Sequence, residues 1–181
     1  QRKFLQAHIA LLFSAISFFS FSQDAKQQIQ NYLTDNQEIL DLSSSDILNL
    51  RITSEHNSNQ TGLQHVYVSQ EHNGIEVFGA TATFAIQGNK VLLTGNRLIS
   101  NISAKTSPAS GKISNEEAIY AAAVRLNLST PLNLTRLDDK NAETALFRAD
   151  GLSLEPIPVR SMYVIEDDQL ILAWDLNIYE T

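Results

Sequence analysis

Residues 65–103 read HVYVSQEHNGIEVFGATATFAIQGNKVLLTGNRLISNIS, and the fold is decided by how this stretch is parsed. Residues 65–70 are rich in β-formers, and the step Glu71-His72-Asn73-Gly74 interrupts them with an Asn-Gly pair suited to positive φ. A hairpin turn is expected there. Residues 75–86 read as a long second strand broken only by Gly79, and Gly88-Asn89 turns the chain into a third strand at 90–93. The pattern is an antiparallel meander. Gly74 permits the turn, and Gly79 permits a bulge or a close strand approach.

Upstream, residues 24–42 carry Ile29, Leu33, Ile39 and Leu40 at near-helical spacing, and Ser43-Ser44-Ser45 ends that run. Residues 46–54 alternate with Leu48, Leu50 and Ile52 on one face, the period of a half-buried strand, and 55–62 read as a polar connector. Downstream, 103–112 is rich in Ser, Ala, Pro and Gly and reads as a surface loop. Ser114-Asn115-Glu116-Glu117 is a capping box that opens a helix, with Ala118, Ile119, Ala122, Val124 and Leu126 inward and an end near 127–131. Ala145-Leu146-Phe147 predicts a short strand and Asp150-Gly151 a turn. Residues 161–165 and 169–179 predict a second hairpin around Glu166-Asp167-Asp168, with Trp174 as a core aromatic. The fold class is α+β: an antiparallel β-meander and hairpin sheets packed with helices.

The chain has 181 residues, 43% hydrophobic and 18% charged, the balance of a foldable globular chain. Arg2 and Lys3 precede an apolar run at 9–21, and Ser20 and Ser22 occupy the −3 and −1 positions before Gln23. Residues 1–22 therefore read as a secretory signal peptide cleaved between Ser22 and Gln23. A transmembrane anchor needs roughly twenty apolar residues and flanking stop-transfer charge, which this run lacks. The first residue is Gln and the last follows a strand-like run, so truncation is expected at both ends. Residues 1–22 hold two basic and no acidic side chains, so their removal takes the formal charge from −7 to −9. That balance argues against nucleic acid as a partner, because phosphate neutralisation needs clustered Lys and Arg. With no cysteine, an exported fold must stand on its core without disulfides.

Reactive constellations are missing from the string. A catalytic zinc site of the H-E-x-x-H type needs imidazoles at i and i+4, and neither Glu55-His56 nor Glu71-His72 has such a partner. Both read as exposed loop histidines. No G-x-S-x-G elbow or phosphate-cradling glycine loop occurs. Glu166-Asp167-Asp168 reads as a solvated turn in preference to a calcium site. The tripeptides beginning at Asn59, Asn101, Asn127 and Asn133 fit the glycosylation pattern, which an Asn- and Ser-rich chain also produces by chance.

Gln70, Gly74, Ile75, Val77, Phe78 and Gly79 resemble the Q-x-x-x-G-I-x-V-F-G core of the fungalysin/thermolysin-type propeptide motif. Looser similarity runs on to residues 170–181, which look like a later propeptide strand, whereas 143–158 match poorly. The resemblance implies a cystatin-like propeptide fold with family-motif residues Gln70, Gly74, Val77, Phe78 and Gly79. It also implies an N-terminal subdomain at 23–103 and a second, PepSY-like subdomain at 104–181. It further implies the pro-segment of an exported zinc metallopeptidase: a non-enzymatic region acting as intramolecular chaperone and inhibitor. Its partner would be the cognate catalytic domain in cis, with zinc held by that domain and no cofactor in this segment. After leader removal no membrane is expected as a partner, and the destination is the medium, periplasm or cell surface. The alternative is a free-standing exported binding module or protease inhibitor.

Overall fold

The computed structural model describes residues 17–106, 113–129, 133–137 and 144–180, with side chains from Asp24 onward. These residues form an α+β architecture that divides into two compact units. The first takes residues up to 70 together with 79–101, and the second takes 71–78 together with 102 onward. Strand β3 contributes to both.

In the first unit, helices α1 (Ser17–Asp35), α2 (Gln37–Leu40) and α3 (Ser44–Leu48) precede strands β1 (Leu50–Asn57), β2 (Gln64–His72), β3 (Ile75–Gln87) and β4 (Lys90–Asn96). The strands pair in that order. Ala25, Ile29 and Leu33 recur every four residues, so α1 presents one apolar stripe to the core. That stripe packs with Ile47, Leu50, Val66, Val68, Ala82, Phe84 and Ile86, and Tyr32 lies edge-on to Phe84 at 6.2 Å.

Two upstream expectations change. The helix expected over 24–42 breaks at Asn36, and Asp41 closes α2 in the left-handed region with φ 53°. The break rotates the next turn off the stripe, so Ile39 is 85% exposed and Leu42 takes the buried place. Nor do residues 46–54 form one strand. Ser43 and Asp46 make a reciprocal capping box that holds 44–48 helical, leaving Leu48 65% exposed. The strand begins at Leu50 and runs on to Asn57, through the start of the expected connector.

The second unit contains α4 (Ile102–Lys105), α5 (Asn115–Arg125), β5 (Thr135–Leu137), β6 (Ala145–Arg148), β7 (Ile157–Glu166) and β8 (Gln169–Leu176). Strand β7 is its axis. It pairs antiparallel with β8 along Val159↔Leu176 to Glu166↔Gln169, antiparallel with β6, and in parallel with the start of β3 at Val77↔Tyr163. The capping box at Ser114 and Glu117 forms as the sequence predicts. Its helix buries Ala118, Ile119 and Ala123 against Phe147, Ile157 and Val159, while Val124 and Leu126 face outward because the buried stripe advances by four. Trp174 is only partly buried: it lies at this cluster's margin and donates its indole N–H to the Ile113 carbonyl at 3.2 Å. The start of the loop expected at 103–112 is helical in α4, and its remainder at 107–112 lies outside the described residues.

Candidate functional site

The family-motif residues are distributed through β2, the following turn and β3. Gln70 ends the first unit's share of β2, is fully buried, and faces residues 29 positions further on. Its Nε2 donates to the Ile99 carbonyl at 3.0 Å, and the Ile99 N–H donates to its Oε1 at 2.8 Å. A primary amide completes this two-way exchange as a peptide group would, because it carries donor and acceptor side by side. The clamp fixes the backbone that follows β4. Two residues on, the Asn101 N–H donates to Asp46 Oδ2 at 2.8 Å, and the same oxygen accepts from the Ser43 N–H at 2.9 Å and hydroxyl at 2.7 Å. Asp46 is therefore a second buried anchor. The alternation over 46–54 predicts a strand at this residue, although the Ser43-x-x-Asp46 spacing carries a capping signal.

Asn73 and Gly74 both take positive φ, 52° and 75°, as an Asn-Gly hairpin turn requires. Gly79 takes φ 74°, and a Cβ built there would meet no atom within 4 Å. Backbone conformation, not close approach, is thus what calls for glycine at 79. Val77 is fully buried beside Tyr163, and alternation sends its neighbour Phe78 to the other side of the strand, 67% exposed. Glu76 and Phe78 share that side. There the Arg160 guanidinium donates through Nη1 to Glu76 Oε2 at 3.0 Å and through Nε to Asp175 Oδ2 at 2.8 Å. The Asp175 hydrogen bond is the main cause raising the Arg160 pKa above the ordinary arginine value; burial opposes it and Glu76 adds to it. By the same alternation Val164 and Ile171, which are register partners, lie on this face with Phe78.

The three described histidines lie in strands and not in loops. His56 is in β1, His65 in β2, and His72 ends β2 with Nε2 3.0 Å from Thr106 Oγ1 and its ring edge-on to Tyr163 at 5.4 Å. Among the described residues no group of three His, Cys, Asp or Glu is arranged to hold a metal ion. The Glu166-Asp167-Asp168 step forms the β7–β8 turn, with Lys105 paired to Asp168. Ser22 and Gln23 lie within α1, while most of the apolar run before them lies outside the described residues. Among the described residues no helix is long and apolar enough to cross a membrane.

These positions define an α+β module in which Gln70, Gly74, Val77 and Gly79 build the meander and Phe78 is the large apolar side chain of the motif that is offered to solvent. Residues 49–98 match the family model described as the Fungalysin/Thermolysin Propeptide Motif, a propeptide of secreted metallopeptidases. The match runs from the residue before β1 to just beyond β4, so the similarity lies in the β1–β4 meander. No curated protein matches the chain in sequence.

Proposed function

We propose that the chain is the pro-segment of an exported zinc metallopeptidase precursor, which inhibits the cognate catalytic domain and assists its folding. The propeptide motif at 49–98 carries this reading. In it, residues 1–22 direct export with cleavage between Ser22 and Gln23. Residues 23–103 and 104–181 form two propeptide subdomains, the second PepSY-like, and the zinc belongs to a catalytic domain in the same polypeptide. Surface contact is sufficient for both tasks. An interface of about 800 Å² per partner gives useful occupancy once tethering raises the effective concentration to about millimolar. Phe78, with Val164 and Ile171, supplies the apolar part of that contact, and an exposed aromatic of this kind is a characteristic binding anchor.

The test adds the purified chain to a secreted zinc metalloendopeptidase and measures both activity and the yield of active enzyme on refolding. Inhibition at micromolar concentration and a raised yield are expected, and Phe78→Ser should weaken both by about tenfold while leaving the circular dichroism spectrum unchanged. Unchanged activity and unchanged yield at micromolar concentration would remove the mechanism.

A further inference from the structure

His56 and His65, nine residues apart in sequence, are direct partners in the β1–β2 ladder. Their rings are stacked at 5.0 Å between centroids and 19° between planes, and Tyr67 continues the stack at 5.7 Å from His56. The neighbours of His65 and Tyr67, Val66 and Val68, point into the core, so alternation puts the three rings on the sheet's outer face. His56 is exposed and His65 half-buried. Unlike His72, whose Nε2 is engaged by Thr106 and Asn73, neither imidazole has a hydrogen-bond partner among the described residues.

We propose that His56 and His65 form a two-histidine binding site for a divalent transition-metal ion of the Cu²⁺ or Zn²⁺ type, bridging β1 and β2. Imidazole suits these ions, and direct cross-strand pairs bring side chains close enough to share one. Metal–nitrogen bonds of about 2.0–2.1 Å at a tetrahedral angle ask for nitrogens roughly 3.3 Å apart. The stacked rings reach that spacing by turning about Cβ–Cγ, a broad torsion for histidine. Water completes the coordination on the open face. Such an ion would staple β1, the terminal strand in the pairing order, to its neighbour. The inference is independent of the proposed propeptide role, because it concerns two side chains outside the G-I-x-V-F-G core.

The experiment titrates the tag-free full chain with Cu²⁺ and, separately, Zn²⁺ by calorimetry, and follows the histidine ring resonances by NMR. One ion per chain is expected, with the His56 and His65 signals moving together and an upward shift of the melting temperature. His56→Ala and His65→Ala should each weaken binding at least about tenfold, since losing one arm of a chelate forfeits its effective concentration. His56→Gln, which keeps a polar side chain of similar reach in the strand, should give the same loss. His72→Gln should bind like the wild type. A His56→Ala/His65→Ala double variant that binds as tightly as the wild type, or a His72→Gln variant that loses as much as His65→Ala, would overturn the proposal.

Discussion

In the β2–β3 hairpin the two turn positions are Asn73 and Gly74, with φ of 52° and 75°, whereas in the β7–β8 hairpin they are Asp167 and Asp168, with φ of 48° and 60°. Both hairpins thus use a turn with positive φ at its two central residues, which suits the right-handed twist of the flanking strands. Their anchors also differ. Beside the first turn a neutral amide, Gln70, is fully buried and exchanges two hydrogen bonds with Ile99. Along the second, Arg160 pairs with its register partner Asp175 and with Glu76 at a half-open surface. Desolvation makes the first anchor intolerant of substitution, while solvent can replace much of the second. The propeptide motif match, residues 49–98, covers the hairpin whose residues are constrained in this way.

The largest expected effect follows from Gln70. Replacing it with Ala empties its place and leaves the Ile99 N–H and carbonyl unpaired, at a cost of about 2–4 kcal/mol measured by urea denaturation. Gln70→Met separates the two causes, because it fills the volume without the hydrogen bonds. Methionine as stable as glutamine would sink the clamp.

Arg160→Ala tests the other anchor and should cost about 1 kcal/mol, with a large part of that difference disappearing in 1 M salt, where the screening length is about 3 Å. The Gln70 effect should not respond to salt. Because the Arg160 pKa is raised in the folded state, chiefly by the Asp175 hydrogen bond, titration of Arg160 itself takes nothing from the pair at any pH below the ordinary arginine range. Loss of the Arg160 charge removes the pair as pH climbs above that range. A salt-insensitive Arg160→Ala loss would place this anchor in the same class as Gln70 and remove the contrast.

Local chemistry was legible in the sequence, and partners distant along the chain were not. The Asn73-Gly74 turn, the Ser114–Glu117 capping box and the strand at 145–147 each depend on residues within a few positions, and each forms. The Ser43–Asp46 capping box was equally local. It was hidden because Ile47, Asn49 and Arg51 alternate with Leu48, Leu50 and Ile52, and that period of two masks a single helical turn. Gln70 could be recognised as a motif residue, but its role depends on Ile99, and the position of Ile99 depends on a β4 whose length no local rule sets. His56 and His65 become partners only through a register that also includes a bulge between Ile52 and Ser54. Spacing along one strand cannot supply that.

The smallest effect comes from exchanging the turns themselves. Asp168→Gly would give β7–β8 an Asp-Gly turn, relieving the strain that an L-residue carries in the left-handed region, about 1 kcal/mol, somewhat less for Asp. The substitution also removes the Lys105–Asp168 pair, but Asp168 is 76% exposed, so that loss is about 0.5 kcal/mol or less. The net expectation is a gain of about 0.5 kcal/mol, read as a rise of roughly 1–2 °C in melting temperature. Salt separates the two contributions: at 1 M the wild type has already lost most of its ion pair, so the advantage of the glycine variant should widen. Gly74→Asp in the first hairpin is the reciprocal change and should cost a similar amount, because Gly74 has φ 75° and open space around it. If Asp168→Gly destabilises at both salt concentrations while Gly74→Asp is neutral, turn conformation is not what distinguishes the hairpins, and the difference between them rests on Gln70 and Arg160 alone.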